Sequence, residues 1–318
     1  MKLLVLDGNS IINRAFYGIK LLTTKDGRYT NAIYGFMNIF YKLCDELHPD
    51  SVAFAFDLKA PTFRHKMYDE YKAGRKPMPP ELAEQMPVLK DLLRALGYKI
   101  VTKEGYEADD ILGTLAFSCK DGDECYIATG DRDSLQLVGD NVKVLLASTK
   151  MGRPETNIYD VKRIKDDYGV TPHQLIDIKA LMGDSSDNIP GVSGVGQKTA
   201  QSLISELGSI QNIYDNIDTI DIRETLRNKL KNDKDSAFMS YKLCEICKSV
   251  PIETDYSFYV PDEGDKGEAL SILRSLEMYK LIDKIGLNTV TYDTKPENTT
   301  VNEYKRVNSL NDFLLKAN

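Results

Sequence analysis

Nine acidic residues fall into five short groups within the first 187 residues of this chain. They are Asp7, Asp57, Glu107-Asp109-Asp110, Asp131-Asp133 and Asp184-Asp187. Three of the groups closely follow the apolar runs Lys2–Leu6, Ser51–Phe56 and Cys125–Thr129. Such runs are typical of strands buried on both faces of a parallel sheet. Because open α/β sheets bind ligands outside the carboxyl ends of their strands, we expect these carboxylates to converge on one edge.

The other two groups have helical spacing. Glu107 and Asp110 are three residues apart where a helix is predicted to begin, so they share one face of it. Asp109 lies about 100° around the helix from Asp110 and can therefore face a second ion. Asp184 and Asp187 repeat the spacing just after another predicted helix.

So many carboxylates in these places favour a metal site. Magnesium and manganese prefer oxygen ligands, and the chain has only three histidines for a histidine-based zinc site. Two cations about 3.5–4 Å apart can activate a water and stabilise a leaving alkoxide in phosphodiester hydrolysis. We therefore predict Mg²⁺ or Mn²⁺, with two or three ions bound.

Each acid taken alone also has a structural explanation. The acids at 107–110 would be stabilised by a helix dipole, and those at 131–133 and 184–187 would cap turns. Asp7 and Asp57 are harder to explain in this way, because an unpaired charge after an apolar strand is costly. The five groups together favour metal binding.

The rest of the first half alternates between strand and helix patterns. Further strands are predicted at Tyr98–Thr102 and Val142–Ala147. Helices are predicted at Asn31–Leu47, Glu81–Leu96 and Ala108–Cys119. This alternation predicts an α/β fold with a mostly parallel central sheet flanked by helices.

From about Asp160 onward only helices are predicted. They are Pro172–Met182, Gln197–Leu207, Ile222–Leu230, Lys234–Cys247 and Gly267–Leu276. The polar stretch Asn288–Glu303 has the composition of a linker, and Tyr304–Leu315 has the pattern of a further element.

The segment 59–80 is basic and aromatic. From Lys59 to Lys76 it has six Lys or Arg against two acids, with Phe63, Tyr68 and Tyr71 interleaved. A basic groove with aromatic platforms holds single-stranded nucleic acid without reading its sequence. The alternative is a solvated loop and helix whose charge keeps the protein soluble.

Three glycines precede the predicted helix that starts at Gln197. Gly191, Gly194 and Gly196 would expose backbone amides beside a helix N-terminus, where a phosphate can dock. No strand precedes them, which argues against a dinucleotide-binding loop. A plain tight turn between helices is the alternative.

Composition sets limits on partners and compartment. The net charge of −7 is unusual for a protein that binds nucleic acid, but nine acids in one site would account for more than all of it. Five scattered cysteines fit reduced thiols, and Cys244 and Cys247 are better explained by a helix than by a zinc or redox site. No apolar run is long enough to span a membrane, so a cytoplasmic protein is expected.

The motifs resemble those of the 5′-nuclease (flap endonuclease) family, most closely the 5′-to-3′ exonuclease domains of bacterial type I DNA polymerases. The resemblance extends from Met1 to about Gly286. The motifs that carry it are Leu-Asp7-Gly-Asn-Ser, Phe-Asp57, Glu107-Ala-Asp109-Asp110, Thr-Gly-Asp131-Arg-Asp133, Tyr71-Lys72-x-x-Arg75 and Met-Gly-Asp184-Ser-Ser-Asp187-Asn-Ile-Pro-Gly.

The resemblance implies a PIN-like nuclease core at 1–170 with a helical arch at 59–80. It implies a helical region at 171–287 with a helix–hairpin–helix type element at 189–207, and a linker with the start of a following element at 288–318. All nine acids would be metal ligands. The tighter site would be formed by Asp7, Asp57, Glu107, Asp109, Asp131 and Asp133, and the looser site by Asp110, Asp184 and Asp187.

The resemblance also implies contacts with DNA. The residues matching Lys72 and Arg75 contact the scissile phosphate, so these two are the expected catalytic cations. Potassium on the loop carbonyls of the glycine element is a further expectation. Expected DNA contacts are Arg14, Tyr71, Lys72, Arg75, Gly191, Gly194, Gly196, Lys198 and Thr199.

The resulting functional prediction is a structure-selective 5′-3′ exonuclease or 5′-flap endonuclease for primer removal and repair. Its substrate would be 5′-flap, nicked or 5′-ended duplex DNA, and the protein would be a monomer. Whether a polymerase domain follows in a longer protein is left open. The alternatives are a non-catalytic DNA-junction binding protein and a PIN-type ribonuclease, although domains of the latter class are usually shorter and lack the arch and the glycine element.

Overall fold

A six-stranded sheet forms the centre of the computed structural model, which describes residues 1–150 and 153–289. The strands are β1 (Lys2–Asp7), β2 (Ser51–Ala55), β3 (Lys99–Val101), β4 (Glu124–Thr129), β5 (Val142–Lys150) and β6 (Arg153–Tyr159). Their order is β3-β2-β1-β4-β5-β6. The first five strands are parallel, and β6 pairs antiparallel with β5. The predicted mostly parallel α/β sheet is confirmed, with the additional strand β6.

Fourteen α-helices lie in these described ranges. They are α1 (Gly8–Gly18), α2 (Asn31–Leu47), α3 (Phe63–Met67), α4 (Pro80–Ala83), α5 (Gln85–Ala95), α6 (Ala108–Phe117), α7 (Val161–Tyr168), α8 (Gln174–Met182), α9 (Gln197–Leu207), α10 (Ile210–Asp215), α11 (Glu224–Asn232), α12 (Lys234–Cys244), α13 (Lys266–Ser275) and α14 (Tyr279–Lys284). Three short 3₁₀ helices cover Arg132–Leu137, Tyr256–Tyr259 and Leu287–Thr289. None of the helices in this part of the chain is long and apolar enough to cross a membrane.

The surroundings of β1 explain why residues 3–6 of this strand are all apolar. Leu4 and Leu6 pack on one face of the sheet with α1, α2, α5 and α13. Leu3 and Val5 pack on the other face with α6. All four side chains are completely buried, because helices cover both faces.

The strand order also creates a crevice. The chain proceeds from β1 outward to β2 and β3, then returns to place β4 on the other side of β1. The crevice at such a reversal lies outside the carboxyl ends of the strands and is where open α/β sheets bind ligands. Asp7 ends β1, Asp57 follows β2, and Asp131 and Asp133 follow β4.

The region after the sheet has a core of its own. Apolar residues of α8, α9, α10, α11 and α12 form one buried cluster around Leu181, Ile204 and Leu230. The helix α12 ends at Cys244, so the prediction that both cysteines lie on one helix is wrong for Cys247. The five cysteines are all free, as expected.

The arch segment 59–80 is mostly not helical, which corrects the expectation of a helical arch. Helix is confined to the five residues of α3 and the first residue of α4. Turns and irregular backbone occupy 68–79, where Lys72 has a left-handed φ of 59°. Prolines at 77, 79 and 80 lack the amide hydrogen that a continuous helix requires. Of the predicted linker and following element at 288–318, all but the first two residues lie outside the described residues.

Gly97 follows α5 and contacts the C-terminal segment at Asp262. Its φ is +83°, and its carbonyl accepts a hydrogen bond of 3.1 Å from the Asp262 amide. A Cβ at this position would lie 2.2 Å from the Asp262 carbonyl oxygen. Gly105 has nearly the same φ, +84°, but no atom lies within 4 Å of a Cβ added there.

We predict that Gly97→Ala destabilises the fold more than Gly105→Ala. Both variants place alanine in the left-handed region, at a cost of about 1–2 kcal/mol. The clash at Gly97 should add roughly another 1–3 kcal/mol. Urea denaturation of the two variants measures the difference, and equal losses of stability would contradict the predicted clash.

Candidate active site

Seven of the nine predicted acids line one cleft of about 430 Å³ at the carboxyl ends of the strands. They are Asp7, Asp57, Glu107, Asp109, Asp131, Asp133 and Asp187. Arg64, Tyr71, Lys72 and Arg75 line the same cleft. The cleft therefore combines many carboxylates with several cations, although the segments that provide them are far apart in the sequence.

Asp7 is held at the centre of the cleft by two hydrogen bonds. It accepts one from the Ser10 amide (2.9 Å) as the N-cap of α1, and one from the Thr129 hydroxyl (2.9 Å). Burial raises the pKa of Asp7 to about 7, and the charges of Asp57 and Asp131 add to this effect. A cation bound nearby would relieve the same repulsion that favours the protonated form.

Asp57 connects β2 to the beginning of α6. Its carboxylate accepts hydrogen bonds from the Ala108 amide (2.7 Å) and from Nδ2 of Asn9 (2.8 Å). Oδ1 of Asn9 is buried and has no hydrogen-bond partner among the described residues. An oxygen in this position, on a residue that lines the acidic cleft, matches what a hydrated divalent cation requires.

Asp109 and Asp133 show the strongest crowding of like charge. Burial raises the pKa of Asp109 well above its usual value, and Asp7, Asp131 and Asp133 raise it further. Burial also raises the pKa of Asp133 to about 6, although the Lys179 ammonium opposes the shift. Asp131 accepts a hydrogen bond from the Asp133 amide (2.9 Å), and this N-cap sets the orientation of the pair.

Asp110 does not line the cleft, although it was predicted as a ligand of the looser metal site. It is fully buried, and Arg64 donates to both of its oxygens at 2.8 Å. Backbone amides of Glu107 and Cys247 also donate to them, at 3.0 and 2.9 Å. Because both oxygens are engaged in the protein interior, Asp110 anchors α6 rather than facing an ion.

Arg64 also connects Asp110 to the C-terminal end of α12. It is 3% exposed, and it donates to the carbonyl oxygens of Leu243 and Glu245 at 2.9 Å each. It also lies 3.4 Å from Glu107. Arg64 thereby ties the arch segment, α6 and the loop after α12 to one buried charge.

Glu107 lies where the arch segment meets the cleft. It receives the Lys72 ammonium at 2.8 Å and the Tyr71 hydroxyl at 3.1 Å. Tyr71 is 4% exposed, so its ring is part of a buried cluster and is not an open stacking platform for a base. Asp187 receives Arg75 at 2.5 Å and lies 3.8 Å from Lys72.

The backbone also joins the arch segment to the turn that follows α8. The Lys72 amide donates to the Asp187 carbonyl oxygen (2.9 Å), and Nδ2 of Asn188 donates to the Glu70 carbonyl oxygen (2.8 Å). Lys72 and Asn188 both have left-handed backbones, with φ of 59° and 56°. A non-glycine residue adopts this conformation at an energetic cost, so the surrounding contacts must maintain it.

Asp184 does not line the cleft either. It lies beside it and receives the Lys179 ammonium at 2.5 Å. Burial would raise the pKa of Asp184, but hydrogen bonds from Lys179 and Ser186 lower it to about 2. The same ammonium lies 2.5 Å from Asp133.

Within the described ranges, no group of three or more His, Cys, Asp or Glu side chains is arranged to hold a metal ion. The cations Lys72, Arg75 and Lys179 are paired with Glu107, Asp187, Asp133 and Asp184. The donor set still fits magnesium or manganese, because it consists of carboxylate oxygens together with the unpaired Asn9 oxygen. Binding an ion there requires some of these ammonium and guanidinium groups to move.

The glycine element forms a compact turn before α9. Gly191 and Gly194 have φ of 63° and 70°. Ser240 accepts a hydrogen bond from the Gly191 amide (3.0 Å), while Ser236 donates to its carbonyl oxygen (2.7 Å). The Lys229 ammonium lies 3.4 Å from the Gly194 carbonyl oxygen, an atom on which potassium was expected.

The other predicted DNA contacts lie at the surface of this element or on α1. Gly196 precedes α9, Lys198 is exposed and Thr199 is half-buried. Arg14 is half-buried and donates to the Ala147 carbonyl oxygen at 3.1 Å. No DNA contact of these residues is tested by the structure, so they stay predictions.

Three residues of the site were not singled out from the sequence: Asn9, Arg64 and Lys179. The doublet Asp109-Asp110 contained a signal for Arg64. Two adjacent acids at the start of a helix cannot face the same direction, so the second one needs a partner of its own wherever it is buried. Nothing in the sequence around Lys179 indicates its contact with Asp133, which is 46 residues away.

Comparison with known proteins places this geometry in a family. Residues 2–169 match the family described as 5′-3′ exonuclease, N-terminal resolvase-like domain. Residues 170–266 match the family described as 5′-3′ exonuclease, C-terminal SAM fold. Together the two matches extend over most of the chain.

Similar proteins include bacterial polymerases. The chain is 44% identical over 291 residues to DNA polymerase I of Caldicellulosiruptor bescii, covering 91% of this chain and 34% of that protein. It is 42% identical over 286 residues to DNA polymerase I of Bacillus subtilis, covering 90% of this chain and 32% of that one. The chain thus spans about a third of the length of these relatives.

Two solved structures share the fold at low sequence identity. The D15 protein of T5, co-crystallised with metal ions, matches with a TM-score of 0.63 at 21% identity, covering 86% of this chain and 99% of that chain. The catalytic core of Rad2, in complex with a DNA substrate, matches with a TM-score of 0.59 at 19% identity, covering 92% of each chain.

We predict that Arg64→Met destabilises the protein by about 3–5 kcal/mol, because it leaves the Asp110 carboxylate buried without its counter-charge. Urea denaturation measures the change. Arg94→Met is the matched control, since Arg94 pairs with Asp91 on the exposed side of α5. That variant should change stability by no more than about 1 kcal/mol. Equal effects of the two substitutions would show that the Arg64 pair does not hold the elements together.

A second prediction concerns pH. The pKa of Asp7 is raised from 3.8 to about 7, so the folded protein keeps a proton that the unfolded chain releases in this window. Stability without metal should therefore fall as the pH rises from about 4 to 7, and Asp7→Asn should remove that loss. At pH 8 we expect the variant to be more stable than the parent by roughly 2–4 kcal/mol.

Urea denaturation in EDTA at pH 4 and pH 8 measures this difference. Asp184→Asn provides the contrast, because the pKa of Asp184 is lowered to about 2. Its ionised form stabilises the fold above pH 4, so that variant should lose stability at pH 8. A gain for Asp7→Asn that is equal at both pH values would contradict the predicted linkage.

Proposed function

Because this chain belongs to the 5′-3′ exonuclease family, we propose that its acidic cleft hydrolyses phosphodiester bonds of DNA close to a free 5′ end. The substrates proposed are 5′-flap, nicked and 5′-ended duplex DNA, and the roles proposed are primer removal and repair. The D15 protein of T5 is described as a flap endonuclease in a complex with DNA and metal ions, which supports this choice of substrate.

One observation carries the proposal: seven carboxylates and the cations Lys72 and Arg75 line a single cleft at the reversal of the strand order. A binding protein would gain little from this arrangement, because the carboxylates repel the phosphates of DNA. A hydrolase gains from it, because carboxylates can hold the cations that phosphodiester chemistry requires.

The residues would hold magnesium or manganese in two groups. Asp7, Asp57, Glu107, Asp109, Asp131 and Asp133 would form the tighter site. Asp184 and Asp187 would contribute to a looser one, without Asp110. When bound, these ions supply an activated water and charge stabilisation for the leaving oxygen.

The cations of the arch segment have a separate task. Lys72 and Arg75 pair with Glu107 and Asp187 in this structure, at the wall of the cleft. During the reaction the ammonium and guanidinium groups would pair with a phosphate in place of these carboxylates. They would then stabilise negative charge that develops during cleavage.

Duplex DNA would dock on the glycine element. The exposed N-terminal turn of α9, with Lys198 and Thr199, can accept a phosphate through backbone amides and side chains. Potassium at the loop carbonyls would compete there with the Lys229 ammonium. Contacts of this kind recognise the DNA backbone and not its sequence.

The proposal predicts cleavage near the junction of an end-labelled 5′-flap duplex in Mg²⁺ and none in EDTA. Asp109→Asn should lower the rate at least about 100-fold, since its carboxylate lies among the proposed ligands. Gel analysis of the labelled products and a separate DNA-binding titration measure the two properties. Binding in the variant should be retained, because one repelling charge is removed.

Asp121→Asn is the control, because Asp121 is exposed and lies outside the lining of the cleft. It should cut at the rate of the parent. Tight DNA binding by the parent without any cleavage in Mg²⁺ or Mn²⁺ would contradict the nuclease proposal and would identify a junction-binding protein. Cleavage of RNA strands only would identify a ribonuclease.

A further inference from the structure

The ammonium group of Lys179 bridges two carboxylates that belong to different segments. Nζ lies 2.5 Å from Asp133, in the 3₁₀ helix after β4, and 2.5 Å from Asp184, in the turn after α8. It also donates to the second oxygen of Asp133 at 2.7 Å. One positive charge therefore occupies the space between two acids proposed to bind metal.

The position of this ammonium is set by packing. Lys179 lies in the last turn of α8, and its side chain is 24% exposed. It lines a mostly apolar pocket of about 190 Å³ together with Leu135, Ile176 and Met182. Arg75 provides a contrast, since its side chain is 51% exposed and lies on irregular backbone. A cation carried by a packed helix is less free to leave its partners than one on an exposed loop.

The charge of Lys179 has a direct consequence for other cations. Asp133 and Asp184 repel each other, and the ammonium offsets that repulsion. A divalent ion that binds either carboxylate must displace the ammonium or bind beside it, and both are unfavourable. An ammonium also cannot coordinate and activate a water, so it balances charge without replacing the chemistry of a metal.

We infer that Lys179 is a built-in competitor of divalent cations, which lowers the affinity of the Asp133–Asp184 side of the cleft and so sets how many ions bind tightly. This inference rests on the proposed metal-dependent function, because it assumes that the cleft binds Mg²⁺ or Mn²⁺. Lys179 is a positioning and specificity residue in this scheme and does not contact the substrate.

If Lys179 had a purely structural role, a different result would be expected. Lysine in the last turn of a helix interacts favourably with the helix dipole. If that were the only function of Lys179, removing its charge would change stability and leave metal binding alone. Direct measurement of metal binding therefore separates the two roles.

The experiment is a titration of the full chain with Mn²⁺, without DNA, followed by the EPR signal of free Mn²⁺ and by calorimetry. Lys179→Gln keeps an amide that can donate a hydrogen bond but removes the charge. We expect it to bind the weakest Mn²⁺ ion of the parent about tenfold more tightly, or to bind one additional ion. Lys179→Arg keeps the charge and should change affinity less than about twofold.

The matched control is Lys162→Gln. Lys162 pairs with Asp166 at 2.5 Å on the exposed side of α7, so this variant removes the same charge away from the cleft. Its Mn²⁺ affinity should equal that of the parent. In the double variant Lys179→Gln/Asp184→Asn, the tightening should disappear, because one of the two released carboxylates is absent. If Lys179→Gln lowers the thermal transition of the protein, comparison with the double variant still shows whether Asp184 takes part in the tighter Mn²⁺ binding.

Unchanged number and affinity of Mn²⁺ ions in Lys179→Gln would overturn the inference and leave the nuclease proposal intact. Tightening that persists in the double variant would also overturn it, since Asp184 would then have no part. Absence of any Mn²⁺ binding by the parent chain would overturn both the inference and the proposed metal-dependent function.

Discussion

Repulsion among carboxylates is the constraint on which this site depends. The strand order brings Asp7, Asp57 and Asp131 to one edge of the sheet, and burial there raises the pKa of Asp7. Such a group of charges is tolerated only if cations or protons balance it. The chain supplies some of the balance itself, through basic residues that come from the arch segment and from α8. The positions of the acids in the cleft therefore depend on the positions of the basic residues that balance their charge.

The two kinds of positive charge in the cleft differ in how they are held. Arg64 is buried, has five protein acceptors and maintains the shape of the site. Lys72 and Arg75 lie on a turn whose backbone is bonded to the Asp187–Asn188 turn. Because these hydrogen bonds join the two turns, we expect a movement of one turn to displace the other.

Much of the architecture was predictable from the sequence, because buried parallel strands leave a continuous apolar pattern. The five parallel strands were identified from such runs, and α9 begins and ends at the predicted residues. The strand β6 was missed because it is an edge strand, with Glu155 and Ile158 exposed and little apolar signal. The helix α1 was missed because it opens with Gly8-Asn9-Ser10, a sequence typical of a turn, and depends on Asp7 for its cap.

In the candidate site, the sequence likewise predicts side-chain positions only where a local pattern determines them. Seven predicted acids line the cleft, and strand ends determine where four of them lie: Asp7, Asp57, Asp131 and Asp133. Asp110 differs from its neighbour Asp109 only by a rotation about the helix axis, and a partner 46 residues away decides its role. Tyr71 was expected to contact DNA through an exposed ring, yet Glu107 and Asp187 hold its hydroxyl in the interior. Pairings of this kind depend on the tertiary structure and leave no local pattern.

The long-range contacts of Arg64 have a consequence for how the two parts of the chain can be recombined. The two family descriptions divide the chain at residues 169 and 170, but Arg64 and Asp110 bond to backbone groups at Leu243, Glu245 and Cys247. A recombinant joined at that division would draw the two sides of the acidic cleft from different parents. We therefore expect that the segments on either side of residue 170 cannot be exchanged independently of each other. The two segments are expected to evolve as a single unit.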